Sequence, residues 1–267
     1  MIHSNARLKI ERLGTRGEGL APGPDGTAIV PYALPGETVV AELDGARGKL
    51  VEIITPSPDR VPAFCRYFSA CGGCAVQTLA PKPYVHWKQS LLVDAMRQAG
   101  LDTTADDLAD AHGEGRRRAT FHARPNALGR ATTGFMEART HDIVEIEECP
   151  LFAPSLREAP QLARALAQVL AASGRPLDIL TTATSSGLDV DIKGHGPLNE
   201  NETRRLVGFA LRHDLARLSN HGAVLALSRP PLVAIGKAVV AIPPGAFLQA
   251  TQAGEDRLAA EVRAVLK

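Results

Sequence analysis

The four cysteines of this 267-residue chain restrict its chemistry more than any other feature. Cys65, Cys71 and Cys74 lie close together, and Cys149 follows far downstream. Three thiols at this spacing can reach one centre, and a fourth completes a set of four sulfur ligands. The two glycines before Cys74 lack a Cβ, so the backbone there can turn sharply and direct N–H groups toward thiolate or sulfide charge. The sequence therefore predicts a metal or cluster site formed by Cys65, Cys71, Cys74 and Cys149.

These cysteines could instead form disulfides, a redox pair or a structural zinc site. Disulfides require an oxidising compartment, whereas the N-terminal sequence has no apolar signal-peptide core. A thioredoxin-like redox pair at Cys71 and Cys74 is disfavoured by the third nearby cysteine and the glycine-rich surroundings. Structural zinc uses the same four ligands, but zinc sites usually pair two short cysteine knuckles. The three-plus-one distribution favours an iron–sulfur cluster, and spacing alone leaves zinc open.

The overall composition predicts a soluble cytoplasmic protein without a membrane partner. The net charge is +1, so any binding of nucleic acid has to come from local basic patches. The longest apolar stretch near the C-terminal end, residues 232–250, is interrupted by Lys237, Pro243 and Pro244. Such a segment cannot span a bilayer as a helix.

The distribution of strand and helix patterns predicts an α+β protein. Residues 1–57 contain short strands between Gly and Asp turns, as in a five-stranded OB-like barrel, a fold that can bind RNA. Its nearly balanced charge also fits a purely structural barrel. Residues 58–110 form the cysteine segment and a helix, in which Trp87 lies on the apolar face and is expected to pack rather than to stack on a base. Residues 111–245 form a mixed α+β RNA-binding domain. Residues 246–267 are the start of a further domain.

Three consecutive arginines open the strand region of the central domain. Alternation along a strand places Arg116 and Arg118 on one face and Arg117 on the other. Three adjacent guanidinium groups are a candidate binding site for RNA phosphates, although a solvated strand balanced by nearby acids would show the same pattern. A turn at residues 125–129 leads back along a second strand, and Cys149 follows the end of a third.

Local signals also locate several elements of the C-terminal half. Residues 177–192 read as a hairpin, and the helix that follows begins with Asn199 or Asn201 as its N-cap. A last helix covers residues 253–266, and Gln249 could act as its cap.

Several motifs together resemble the RNA uracil-5 methyltransferases, the family that makes 5-methyluridine in 23S ribosomal RNA. The cysteine pattern is similar to the iron–sulfur motif of that family. The other matching segments are Tyr84-x2-Trp87-Lys88, Arg116-Arg117-Arg118, Gly134-Phe135, His141-x-Ile143-Val144, Glu148-Cys149-Pro150-Leu151 and Pro243-Pro244-Gly245-Ala246-Phe247-Leu248-Gln249.

This resemblance implies a division into domains and a set of cofactors. The barrel would be a TRAM domain, and the four cysteines would bind a 4Fe–4S cluster. The segment 246–267 would begin a Rossmann-like domain that binds S-adenosylmethionine. Gln249 matches the family's cofactor-contacting glutamine, while Thr251 stands where many members have asparagine.

The resemblance also implies what this sequence lacks. Methyl transfer in the family uses a cysteine thiolate that adds to C6 of uracil, and no cysteine follows Cys149. We therefore expect the chain to be shortened before its catalytic domain, to contain no catalytic residue and to be inactive alone. It would be the RNA-recognition and iron–sulfur portion of an S-adenosylmethionine-dependent enzyme that methylates C5 of uracil in ribosomal RNA. The alternative is a non-catalytic RNA-binding iron–sulfur or zinc protein.

Overall fold

The structure is a computed structural model that describes residues 4–126 and 128–266. Met1–His3, Ala127 of the predicted turn and Lys267 of the last predicted segment lie outside the described residues. The chain forms two compact units, one up to Leu108 and one from Ala109 onward. The finer boundaries at residues 57 and 245 remain predictions.

The first unit is built on a six-stranded sheet in the order β1-β5-β6-β4-β3-β2, antiparallel except for the contact between β4 and β6. Its strands are β1 (Ser4–Lys9), β2 (Arg12–Leu13), β3 (Gly19–Gly23), β4 (Gly26–Val30), β5 (Thr38–Asp44) and β6 (Arg47–Thr55). Alternation in β5 buries Val39, Ala41 and Leu43 against the core of this sheet. Burial of a side chain the size of Val39 or Leu43 contributes about 1.5–3 kcal/mol.

The predicted five-stranded OB-like barrel is not confirmed. Within the described residues the sheet has six strands, and its hydrogen-bonded order ends on β1 and β2 without closing. Strand β1 stops at Lys9, because the backbone of Ile10 bonds to the loop at Gly36 and Glu37 instead. The α+β class itself is confirmed, since several sheets and four helices are present in the described parts of the chain.

Helix α1 (Pro81–Gln98) follows the cysteine segment. Proline is compatible with the first helical position, since the amide hydrogen that it lacks has no helical partner there. None of the described side chains of α1 is fully buried. Trp87 is half-buried, and its indole N–H donates to the carbonyl of Gly14 over 3.1 Å. Trp87 therefore packs against the loop after β2 rather than in the core of the sheet.

The second unit contains a seven-stranded mixed sheet in the order β13-β12-β11-β10-β7-β8-β9 and a separate hairpin of β14 and β15. The strands are β7 (Arg118–Pro125), β8 (Ala131–Met136), β9 (Ile143–Glu145), β10 (Leu177–Thr184), β11 (Gly187–Lys193), β12 (Arg217–Asn220), β13 (Ala223–Leu227), β14 (Leu232–Ile235) and β15 (Ala238–Ala241). The helices are α2 (Ala159–Leu170), α3 (Glu200–Arg212) and α4 (Gln252–Val265), with 3-10 turns at Pro154–Leu156 and Ala171–Ser173. The predicted hairpin at residues 177–192 is confirmed as β10 and β11.

Two of the helices described in this unit, α3 and α4, begin at capping side chains. Asn199 caps α3, as predicted, and forms a reciprocal capping box with Glu202. Thr251 caps α4, because its hydroxyl accepts from the amide of Gly254 over 3.0 Å. The interpretation of Gln249 as the cap of α4 is therefore wrong. In the described part of the chain, no helix combines the length and apolar character that a membrane crossing requires.

A buried ion pair joins the sheet of the first unit to the cysteine segment. Glu37 is fully buried, and its carboxylate accepts from Arg60 Nε over 2.5 Å and from Arg60 Nη2 over 2.9 Å. The amides of Leu34 and Ser57 also donate to it, over 2.8 and 3.2 Å. Arg60 Nη2 donates in addition to the carbonyl of Tyr32 over 2.8 Å.

Replacing the buried carboxylate should destabilise the first unit. At pH 7, Glu37→Gln is expected to lower its free energy of unfolding by about 3 kcal/mol, because Arg60 loses its charged partner. The matched control is Glu52→Gln, which lies exposed on β6 and should change stability by less than about 0.5 kcal/mol. Urea unfolding measures both, and equal stability of the two variants would contradict the importance of this pair.

The same pair makes stability depend on pH. Burial raises the pKa of Glu37, but the hydrogen bonds from Arg60, Leu34 and Ser57 outweigh burial and hold that pKa below its ordinary value. The contribution of the ionised Glu37 to the free energy of unfolding is therefore present above the unfolded-state pKa of about 4.3. It is lost as the pH falls through the folded-state pKa. The difference in unfolding free energy between the natural chain and Glu37→Gln should accordingly shrink as the pH is lowered below about 4.3.

Candidate functional site

The three clustered cysteines lie in a loop that is closed at its base. The amide of Val61 donates to the carbonyl of Thr78 over 2.8 Å, and the amide of Ala80 donates to the carbonyl of Asp59 over 2.9 Å. Arg60, which binds Glu37, lies within this closure. The thiol loop, residues 61–78, therefore begins and ends at the same place, where residues 59–61 bond to residues 78–80.

Tight turns fold the thiol loop back on itself around Cys71. The amide of Phe68 donates to the carbonyl of Cys65 over 3.1 Å, and the amide of Cys71 donates to the carbonyl of Tyr67 over 2.8 Å. The amide of Gly73 points at Cys71 Sγ over 3.4 Å. A Cβ at Gly73 would lie 3.4 Å from that same sulfur, an ordinary contact distance.

The pKa of Cys71 reflects this crowding. Burial raises it, the hydrogen bond from the amide of Gly73 lowers it, and the nearby Cys74 and Cys65 raise it further, with a net increase. The three sulfur groups are thus close enough to interact electrostatically. Binding of a metal requires thiolates, so it would release protons from this loop.

Cys149 follows β9 in the second unit, and its loop is fixed by backbone hydrogen bonds. The amide of Phe152 donates to the carbonyl of Cys149 over 3.0 Å. The amide of Arg116 donates to the carbonyl of Leu151 over 2.7 Å, and the amide of Ala153 donates to the carbonyl of Arg116 over 2.9 Å. The segment that carries Cys149 therefore lies directly beside the first of the three arginines.

The donor atoms match the chemistry of a thiolate-bound centre. All four cysteines are described, all are half-buried, and none of them forms a disulfide. Within residues 4–126 and 128–266, no three His, Cys, Asp or Glu side chains are arranged to hold a single metal ion. Thiolates are the ligands that iron–sulfur clusters and soft metal ions prefer, so the residue types fit a cluster.

The structure separates the three arginines by exposure and by partner. Arg116 is exposed and Arg118 is half-buried, whereas the side chain of Arg117 is only 8% exposed. Arg117 forms an ion pair with Glu255, while Arg116 and Arg118 form none within the described residues. The predicted alternation of the strand is confirmed. Of these three arginines, Arg116 and Arg118 are the two whose charges no described carboxylate compensates.

Arg118 lies next to the segment that leads to Gln249. Its Nη1 donates to the carbonyl of Leu248 over 3.4 Å, and its Cζ lies 5.7 Å from the ring centroid of Phe247. Burial lowers the pKa of Arg118, and the neighbouring charges of Arg116 and Arg117 lower it further. Phe247 is 78% exposed, which makes it a candidate functional residue that our sequence analysis did not single out, although its position two residues before Gln249 could have drawn attention to it.

Gln249 is half-buried, and its side chain makes no hydrogen bond within the described residues. Its backbone carbonyl accepts from Arg117 Nε over 3.2 Å. The carbonyl of the next residue, Ala250, accepts from the amide of Arg117 over 2.9 Å. The backbone of this segment is thus held in place while the side-chain amide of Gln249 is left available for a ligand.

A second buried ion pair supports the start of this segment. Arg217 binds both carboxylate oxygens of Asp189 over 2.8 Å, and its Nη1 donates to the carbonyl of Ile242 over 2.9 Å. Burial raises the pKa of Asp189, Arg217 partly offsets that effect, and the nearby Asp191 adds to it. Sequence analysis missed this pair because its two members lie on different strands.

Comparison with known proteins shows similarity over nearly the whole chain. No family model matches the chain. An uncharacterised RNA methyltransferase of Caulobacter vibrioides is 42% identical over 255 residues, which cover 93% of this chain and 61% of the relative. An uncharacterised RNA methyltransferase of Brucella suis is 38% identical over 260 residues, which cover 97% of this chain and 62% of the relative.

A third relative has a more specific description. The 23S rRNA (uracil(1939)-C(5))-methyltransferase of Methylococcus capsulatus is 39% identical over 161 residues, which cover 57% of this chain and 36% of the relative. The chain spans about three fifths of the length of the first two relatives. Its homologues are RNA methyltransferases, and they include an enzyme that methylates uracil in ribosomal RNA.

Proposed function

We propose that this chain is the RNA-recognition and iron–sulfur portion of an S-adenosylmethionine-dependent methyltransferase that modifies C5 of uracil in RNA, with 23S ribosomal RNA as the substrate. The observation that carries the proposal is the similarity to RNA methyltransferases over 93–97% of the chain. The relative from Methylococcus capsulatus supports uracil as the target base.

The proposal assigns all four cysteines to a 4Fe–4S cluster. Cys65, Cys71, Cys74 and Cys149 would hold it, and its contribution would be to stiffen the loops that carry them, because methyl transfer needs no electron transfer. The closed base of the thiol loop and the amide directed at Cys71 support this assignment.

Gln249 is proposed to contact S-adenosylmethionine, the cofactor that supplies the methyl group. With every cysteine of the sequence assigned to the cluster, none of the 267 residues would act as the thiolate nucleophile. Catalysis would then belong to a longer protein that contains this chain, and this chain would bind and orient the RNA.

Arg116 and Arg118 are proposed to bind RNA phosphates. Guanidinium groups bind phosphate in a bidentate manner, and these two have no carboxylate partner in the described structure. The sheet of the first unit is proposed to add RNA contacts. A phosphate near Arg118 would also relieve the repulsion from its two arginine neighbours.

The cluster assignment can be tested by anaerobic purification. We expect a brown protein with broad absorption near about 400 nm and about four iron atoms per chain. Cys71→Ser should lose most of the iron, whereas the control His86→Ala, which removes an exposed possible ligand from α1, should retain it. A colourless protein with about one zinc per chain would contradict the cluster and favour a zinc protein.

Methyl transfer can be tested with labelled S-adenosylmethionine and ribosomal RNA. The 267-residue chain alone should transfer no methyl group, because the thiolate nucleophile is absent. A longer protein that contains this chain should methylate C5 of uracil. Turnover by the chain alone would refute the assignment of its cysteines, and RNA binding without turnover by the longer protein would favour a non-catalytic RNA-binding protein.

RNA binding can be tested through its dependence on salt. Arg116→Gln and Arg118→Gln should each weaken RNA binding and reduce the slope of log K against log salt by about 1, because each removes one phosphate contact. The control is Arg205→Gln, an exposed arginine of α3, which should leave the slope unchanged. Unaltered slopes in both test variants would contradict the phosphate site.

A further inference from the structure

The side chain of Arg117, the residue directly before β7, bonds to three residues of a distant segment. Its Nε donates to the backbone carbonyl of Gln249 over 3.2 Å. Its Nη1 donates to the side-chain oxygen of Gln252, and its Nη2 donates to the carboxylate of Glu255. All three nitrogens of one guanidinium group are therefore bonded to residues 249–255.

The backbone of Arg117 contributes to the same connection. Its amide donates to the carbonyl of Ala250 over 2.9 Å, and its carbonyl accepts from the amide of Ala183 on β10 over 2.7 Å. The residue is thus fixed in the sheet on one side and bonded to the Gln249 segment on the other. A rigid support of this kind can hold a binding residue in its productive position.

Arg117 is poorly suited to bind RNA itself. Its side chain is 8% exposed and that of Glu255 is 17% exposed, so the two charges compensate each other away from solvent. Binding a phosphate would require breaking this pair and leaving Glu255 without its partner. Arg116 and Arg118, on the opposite face of the strand, face no such cost.

Helix α4 depends on polar contacts at its first turn. None of the described side chains of α4 is fully buried, so apolar packing contributes little to its position. Gln252 and Glu255, the two partners of Arg117, both lie in the first turn, where a carboxylate is also favoured by the helix dipole. Thr251 adds a bond from its hydroxyl to the carbonyl of Ala111.

We infer that Arg117 is a positioning residue that fixes Gln249 and the first turn of α4 for cofactor binding, and that it is not an RNA ligand like its two neighbours. The inference depends on the cofactor role of Gln249 proposed above. Arg117 would act through Gln249, and it would touch neither the cofactor nor the RNA.

The first measurement uses this chain and requires neither cofactor nor RNA. Arg117→Met has a similar length but no donors, and it should raise amide hydrogen exchange at Gly254, Glu255 and the next helical turn, residues 256–258, by about tenfold or more. Arg117→Lys should restore part of the protection, because a lysine can pair with Glu255 but cannot form the three-way connection. Arg205→Gln is the control, and unchanged exchange in Arg117→Met would overturn the inference.

The second measurement uses the longer methyltransferase and compares Arg117→Met with Gln249→Ala. We expect both to raise the KM for S-adenosylmethionine by about tenfold, and Arg117→Lys to restore part of it. The salt slope of RNA binding should stay unchanged in Arg117→Met. A slope reduced as in Arg116→Gln would identify Arg117 as a phosphate ligand and overturn the inference.

The two variants also distinguish which proposal has failed. If Gln249→Ala raises the KM and Arg117→Met does not, Arg117 is not a positioning residue. If Gln249→Ala leaves the KM unchanged, the cofactor role of Gln249 fails, and the functional part of the inference fails with it.

Discussion

Buried arginines bonded to carboxylates that are remote in sequence hold together the segments on which the proposed function depends. Such pairs recur in both units: Arg60–Glu37, Arg117–Glu255 and Arg217–Asp189. Taking two charges out of water costs free energy that the pair recovers only in one geometry, and removal of either partner leaves an uncompensated buried charge. Each pair therefore penalises any arrangement that separates its two partners.

Each of these arginines also donates to a backbone carbonyl. Arg60 donates to the carbonyl of Tyr32, Arg117 to that of Gln249, and Arg217 to that of Ile242. The planar fork of an arginine can bind a carboxylate with some of its N–H groups and a carbonyl with the others, which a lysine cannot do in a fixed geometry. Loops with little apolar packing of their own can in this way be positioned as firmly as strands. The thiol loop is held at its base by Arg60, whereas the Gln249 segment is held by Arg117 and also by Leu248, which packs with Val233 and Ile242.

Sequence patterns predicted the features that depend on neighbouring residues. Strand alternation placed Arg116 and Arg118 on the face opposite Arg117, and Asn199 was one of two predicted caps of α3. Features that depend on distant residues were not predicted. The partner of Arg117 lies 138 residues away, and no local pattern in the sequence identifies it. The end of β1 depends on Ile10 bonding to a loop near residue 37, so the sheet differs from the predicted barrel for the same reason.

The near-neutral charge of the chain conceals an uneven distribution of charge. The charge of Arg117 is compensated by Glu255, so it contributes little to the electric field outside the protein. Burial and the two neighbouring arginines instead raise the free energy of the charged form of Arg118. An approaching phosphate gains more from a cation without a counter-charge than from a compensated one. Three identical side chains in a row would in this way serve two purposes, because the alternation of the strand turns Arg117 inward to the Gln249 segment and turns Arg116 and Arg118 outward to the RNA.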